Sequence, residues 1–220
     1  MFAVSHAATA LILKRRYPSA GLWSLLVAVQ AVELLWVAFT YAGIEHIEVA
    51  DGRIHLAFLP YSHSVFTGVA LALIVGATIR ARRGDPALAV AVGVGIVSHI
   101  VLDIIQHEPD VYLFPVAWGP RLGLGLIHHP IPNIVVELLY GIFCWWLFRG
   151  TAGLLIGIIV FNLLDLPLLL PNPGAAERFG AHPAWFTTII VVQIVASWLL
   201  VAWLARGHPR PLRAAAAAAE

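Results

Sequence analysis

The chain has 220 residues, 60% of them hydrophobic and 11% charged, whereas soluble domains carry roughly 25% charged residues. A formal charge of +1 gives no hold on nucleic acid, and the lone cysteine, Cys144, excludes an internal disulfide and a CxxC zinc site. These values predict an all-α, polytopic membrane helix bundle, with a single integral membrane domain over residues 1–213 and a low-complexity tail at 214–220.

A spanning helix needs about 20 apolar residues. Residues 1–13 fall short and predict a short first helix, half-spanning or tilted. The charges Lys14, Arg15 and Arg16 follow this apolar part, the reverse of the order in a secretion signal. Residues 20–42 predict the first full span. The polar break at 44–60 alternates around Asp51-Gly52, which predicts a hairpin of strands 46–50 and 53–58. Spans over 62–79 and 86–107 come next, then a Gly- and Pro-rich loop over 108–130. Residues 131–148 and 151–170 predict two spans joined by a tight turn at Arg149-Gly150, 171–183 reads as a loop, and 184–205 is the last span. The expectation is six full transmembrane helices plus the short N-terminal one. Basic residues cluster at 14–16, 80–83, 149, 206, 210 and 213, while Arg53, Arg121 and Arg178 fall in the opposite loops. The positive-inside rule then places the N-terminus outside and the C-terminus in the cytoplasm, in a cytoplasmic (inner) membrane.

Placed on this map at about 1.5 Å per residue, the intramembrane polar groups gather toward one face. His6, Gln30, Glu33, His63, His99, Asp103, His107, Glu137, Asn162 and Asp165 all fall toward the outer ends of their helices. Ionisable groups at membrane depth are costly unless paired, metallated or wet. A single polar cavity open to the external face explains the shared position, with Gln30, Tyr61, Glu137 and Asp165 among its lining.

The stretch at 98–110 carries the sharpest signal. His99, Asp103 and His107 recur at every fourth position, which stacks them on one face of a helix. With His6, His63 and Glu33 from other helices they make a set of nitrogen and carboxylate ligands. Zn2+ suits that set best, as one or two ions, with Mn2+ or Fe2+ as alternatives. A metal-bound water with its pKa drawn to about 7 is a nucleophile at neutral pH. Glu33 or Asp110 would take its proton. Arg121, His128 and His129 in the outer loop would contact an anionic substrate.

Ser5-His6, Leu59-Pro60-Tyr61-Ser62-His63-Ser64 and Val97-Ser98-His99 through Asp103 resemble the membrane-bound metal-dependent hydrolases, the LexA-binding, inner-membrane-associated hydrolase family. That family is grouped with zinc-dependent phospholipase C and the P1-type nucleases. The resemblance implies an all-helical enzyme of phosphoester hydrolysis. Its metal ligands would include the early histidine at His6, the Thr-His-Ser histidine at His63, the His-x-x-x-Asp pair at His99 and Asp103, and an early acidic ligand at Glu33. Two features depart from the family pattern: Phe58-Leu59-Pro60 stands where His-Arg-Gly is usual, and no Pro-Asp-x-Asp run is present. A one- or two-metal site is therefore expected rather than three.

The function expected from this reading is a membrane-embedded metal-dependent hydrolase. It would act on phosphoesters, such as a lipid head group, at the outer face of the membrane. The same residues also suit an ion- or proton-coupled transporter, or a non-catalytic scaffold whose His–Asp pairs are structural.

Overall fold

The helix that is too short to cross a membrane by itself sits in the middle of the bundle. In the computed structural model, which describes residues 1–50, 53–116, 118–170 and 172–207 (backbone alone at 50, 53–57 and 207), α1 is Ala3–Arg16. At about 1.5 Å per residue its 14 residues cover only about 21 Å. Every residue from Val4 to Leu11 is nevertheless buried. α2 (Leu22–Val29), α5 (Pro86–Gln106), α6 (Pro130–Phe148), α7 (Ala152–Asp165) and α9 (Pro183–Leu204) all pack against it. Ala7, Ala8 and Ala10 let those neighbours approach closely, as small residues do between membrane helices. Walled off from lipid, α1 has no need to match the bilayer thickness.

The expected span over 20–42 is two helices, α2 and α3 (Ala31–Tyr41), bent by 54° where they meet. Gln30 at the break has φ −114° and ψ 7°. No glycine or proline stands at that position, so the cause is tertiary. Gln30 Nε2 donates to the Ala3 carbonyl of α1 at 2.9 Å. The Val29 carbonyl accepts from His99 Nδ1 at 2.8 Å. Irregular backbone at membrane depth persists where protein or a cavity satisfies it.

The other helix ends follow local chemistry. Ser64 caps α4 (Val65–Arg83) by accepting from the Thr67 N–H at 3.0 Å, and Gly84 closes it in the left-handed conformation. Asp85 caps α5 through the Leu88 N–H at 2.9 Å, with Pro86 in the first turn. α4 and α5 form a hairpin in which Gly68 meets Ile100 so closely that a Cβ would overlap it. Arg149, at φ 60°, makes the tight turn into α7. α8 (Pro173–Ala181) leads into α9.

Among the described residues five helical segments are long and apolar enough to cross a membrane: Val65–Arg83, Pro86–Gln106, Pro130–Phe148, Ala152–Leu169 and Pro183–Leu204. Among the described residues the bent α2–α3 pair adds a sixth if it counts as one span. The chain is a mostly helical membrane protein. α4 shows its lipid-facing character plainly, with Leu73 and Ile74 about two-thirds exposed.

Two small ladders cover one end of the bundle. β1 (His46–Ala50) pairs antiparallel with β2 (Arg53–Phe58) in the expected hairpin, whose turn residues Asp51 and Gly52 lie outside the described residues. The loop over 108–130 contains a second antiparallel pair, β3 (Val111–Tyr112) with β4 (Arg121–Leu122). It is tied to the end of α5, because Leu124 N–H donates to the Ile104 carbonyl at 2.8 Å and Gly125 N–H to the His107 carbonyl at 2.7 Å. The tail at 214–220, with Arg210 and Arg213, lies outside the described residues.

Helix directions sort the polar residues. α1 and α6 run side by side in the same direction: Phe2 and Ser5 bond Glu137 at one end, and Arg15 bonds the Leu147 carbonyl at the other. α5 runs against α1, so Asp103 near its end meets Met1 and His6 near the start of α1. The ionisable cluster thus collects at one end, while Lys14, Arg15, Arg16 and Arg149 mark the other.

Candidate metal centre

Four elements deliver the cluster. α5 presents His99 and Asp103 one turn apart. α1 supplies His6, α3 supplies Glu33 in its first turn, and His63 stands just before α4. His99 Nε2 lies 3.0 Å from Asp103 Oδ2 and 3.5 Å from Glu33 Oε2. His63 Nε2 lies 3.3 Å from Glu33 Oε2 and 3.6 Å from Asp103 Oδ2. His6 Nε2 lies 3.2 Å from Asp103 Oδ1, which also accepts from the Met1 amino group at 2.8 Å. The His6 and His99 rings stack at 4.0 Å between centroids. Residues up to 97 positions apart in sequence are thereby brought within one ion's reach.

The ring protons are assigned by the partners on the far side. The Val29 carbonyl can only accept, so His99 Nδ1 carries a proton, and in the neutral ring Nε2 is then bare toward the carboxylates. His63 Nδ1 lies 2.9 Å from Ser62 Oγ, which itself donates to Glu45 Oε2 at 2.5 Å. The one hydroxyl proton is committed to Glu45, so His63 Nδ1 donates, and in the neutral ring its Nε2 is bare as well.

Several lone pairs now face one another. His63 Nε2, His99 Nε2 and Asp103 Oδ2 are buried and have no hydrogen-bond partner, although the carboxylate oxygen lies 3.6 Å from the first nitrogen and 3.0 Å from the second. Such groups are costly to bury unsatisfied. Tetrahedral zinc with bonds near 2.0–2.1 Å sets its ligand atoms roughly 3.3 Å apart, close to the spacings here. Two sets, His6–His99–Asp103 and Glu33–His63–His99, each bring all their ligand atoms within 4.8 Å. Both include His99, whose single free nitrogen serves one ion. A second ion would have to share a carboxylate. The residues fit a metal.

The remaining sequence candidates sit around this centre in different ways. His107 caps α5 and stacks on His63 at 5.9 Å, with Nε2 4.0 Å from Asp103 Oδ1. Its Nδ1 lies 3.0 Å from Asp110 Oδ1, so Asp110 supports His107 instead of facing the cluster. Burial opposes the charged ring, yet the Asp110 carboxylate outweighs it and holds the His107 pKa above the ordinary histidine value. Glu137 is fully buried behind α1, where Oε1 accepts from the Phe2 N–H at 3.0 Å and Oε2 from the Ser5 hydroxyl at 2.5 Å. Asp165 accepts from Gln193 of α9 at 2.7 Å.

A cavity of about 310 Å³ opens beside the cluster, bounded by His6, Gln30, Glu33 and Asp103 at its polar end. Gln30 and His128 line it, but Tyr61, Arg121, His129, Glu137 and Asp165 do not. Arg121 instead lies over the Tyr112 ring, 4.6 Å from its centroid. The opposite wall comes from Leu168, Phe179, Phe186 and Ile190. These belong to the last third of the chain, which carries no ligand motif. Glu45 also went unmarked in the sequence, where it reads as one more polar residue before a surface hairpin.

Comparison with protein-family models, with curated proteins and with solved structures finds no match.

Proposed function

We propose that the protein is a metal-dependent phosphoester hydrolase whose centre is built by His6, His63, His99 and Asp103. The observation behind this reading is the convergence of His63 Nε2, His99 Nε2 and Asp103 Oδ2, all buried and without a hydrogen-bond partner. The sequence resemblance to the membrane-bound metal-dependent hydrolases supports the same chemistry. Zinc, when bound, would polarise a phosphoryl oxygen and lower the pKa of a water to about 7. Glu33 is the member of the cluster most open to the cavity, its side chain 19% exposed against 1–3% for the others. It accepts the proton of the attacking water as that water's oxygen bonds to phosphorus. The phosphorus–ester oxygen bond breaks, and Glu33 returns the proton to the departing alkoxide. His128 is the cavity residue placed to contact the anionic group.

The apolar wall opposite the cluster supports a lipid phosphoester as substrate, its head group at the polar end. The basic ends of α1 and α4, and Arg149 just beyond α6, lie away from the cluster. By the positive-inside rule those ends are cytoplasmic and the centre faces the outer side of the cytoplasmic membrane, with α1 and the α2–α3 pair completing a seven-helix bundle.

The test is elemental analysis of the purified protein together with phosphoester hydrolysis by the wild type and His99→Ala. Stoichiometric metal and turnover are expected in the wild type, with both lost in the variant. Metal without turnover would leave a binding protein, and absence of metal would end the proposal.

A further inference from the structure

We propose that Glu45 is a positioning residue that, acting through Ser62, fixes the ring of His63 with its free nitrogen toward Glu33 and Asp103. This rests on the metal reading of the centre.

Glu45 is 1% exposed, although it lies just beyond α3 in a segment of otherwise exposed residues. Its carboxylate takes three protein donors. Oε1 accepts from the Tyr61 and Ser62 N–H groups, each at 2.8 Å, and Oε2 accepts from the Ser62 hydroxyl at 2.5 Å. A carboxylate without a proton can only accept, so it dictates which way the hydroxyl points. With that proton spent, Ser62 Oγ presents only lone pairs to His63 Nδ1, 2.9 Å away. The imidazole must donate there, and a neutral ring then has its lone pair on Nε2. His63 is also held by its backbone, since its N–H donates to the Leu59 carbonyl at 3.0 Å and its carbonyl accepts from Tyr112 N–H at 3.2 Å. Partners of this kind behind a ligating histidine set its tautomer and its orientation. His99 is served by a main-chain carbonyl, and His63 by a carboxylate acting through a hydroxyl.

The direction of the relay can be reversed by one substitution. In Glu45→Gln the amide NH2 can donate to Ser62 Oγ. The hydroxyl then turns to donate to His63 Nδ1, and the ring proton moves to Nε2, where it blocks the ligand position. Ser62→Ala removes the acceptor altogether, whereas Ser62→Thr retains a hydroxyl.

The experiment uses the full chain in detergent micelles, stripped of metal and labelled with ¹⁵N-histidine, with His63 assigned by its loss in His63→Gln. The wild type is expected to show the Nδ1–H tautomer at His63, and Glu45→Gln the Nε2–H tautomer. Zn2+ affinity, read by competition with a chromophoric chelator, is expected to fall about 10–100-fold in Glu45→Gln and Ser62→Ala and to return in Ser62→Thr. An unchanged tautomer in both Glu45→Gln and Ser62→Ala overturns the positioning role, whatever the affinities. A wild type that binds no Zn2+ overturns the metal reading, and the tautomer comparison still decides the relay. Should Glu45→Gln fail to fold, the two Ser62 variants carry the test on the same two readouts.

Discussion

Asp103 and Glu137 are both carboxylates buried in the same end of an apolar bundle, and their surroundings differ in kind. Glu137 has a protein donor on each oxygen, a main-chain N–H on one and a hydroxyl on the other. Its role is complete within the protein, where it holds the start of the central helix α1 against α6. Asp103 has the Met1 amino group on one oxygen, while the other faces the bare nitrogens of His63 and His99. The membrane cost of a charge is met at both oxygens of Glu137 by hydrogen bonds, but at Asp103 the chain provides partners, the Met1 amino group and His6, to one oxygen only. Residue type and burial do not separate a structural carboxylate from a ligand. The protons on the neighbouring atoms do.

The largest expected effect breaks the ligand side of this contrast alone. His99→Ala removes the nitrogen common to both ligand sets, and Zn2+ affinity in a chelator competition should fall by more than about 100-fold, beyond the loss seen on removing supporting residues. Folding should survive, because the ring leaves only the Val29 carbonyl unpaired. Glu137→Leu should do the opposite. It orphans the Phe2 N–H and the Ser5 hydroxyl, so thermal unfolding of the detergent-solubilised protein should show a loss of roughly 2 kcal/mol, with Zn2+ binding retained. Parallel losses of zinc in both variants would dissolve the distinction. Gln193→Leu removes the donor to Asp165 and should cost about 1 kcal/mol in the same unfolding measurement, again without affecting zinc.

The sequence made this contrast only half legible, for a physical reason. His99 and Asp103 could be read because one helix fixes their spacing, and helical periodicity is visible in a string of letters. The span-forming helices could be read because lipid demands long apolar runs, and the hairpin around residues 46–58 because strands alternate. What could not be read depends on partners distant in the chain. The central position of α1 is set by its neighbours, and its small residues are also compatible with a short surface helix. The bend at Gln30 has no glycine or proline to mark it and is held by Ala3 and His99. Glu45 gains its significance from Ser62, 17 positions on, and the same three letters in another fold would be solvated. Glu137 and Asp165 were expected in the cavity lining because hydropathy gives depth along a helix and not the direction a side chain faces.

The smallest expected effect concerns the residue that stands between the two kinds. His107 has one nitrogen engaged by Asp110 and the other 4.0 Å from Asp103, so it is partly satisfied and partly facing the cluster. Its pKa in the folded protein lies above the ordinary histidine value, mainly because the attraction of Asp110 overcomes burial. A raised pKa means that the charged ring stabilises the fold fully below the unfolded value of about 6.5 and that this contribution is lost as pH rises through the folded value. Asp110→Asn should therefore destabilise the chelator-treated protein near pH 5.5 by a few tenths to about 1 kcal/mol, the range of partly exposed ion pairs. The difference from the wild type should close as the pH rises from there through the raised folded value, above which the ring is neutral in both. Unfolding curves of the two proteins across that range measure it directly. A difference that stays constant with pH would mean that Asp110 holds His107 by geometry alone, and His107 would then belong with Glu137 on the structural side of the comparison.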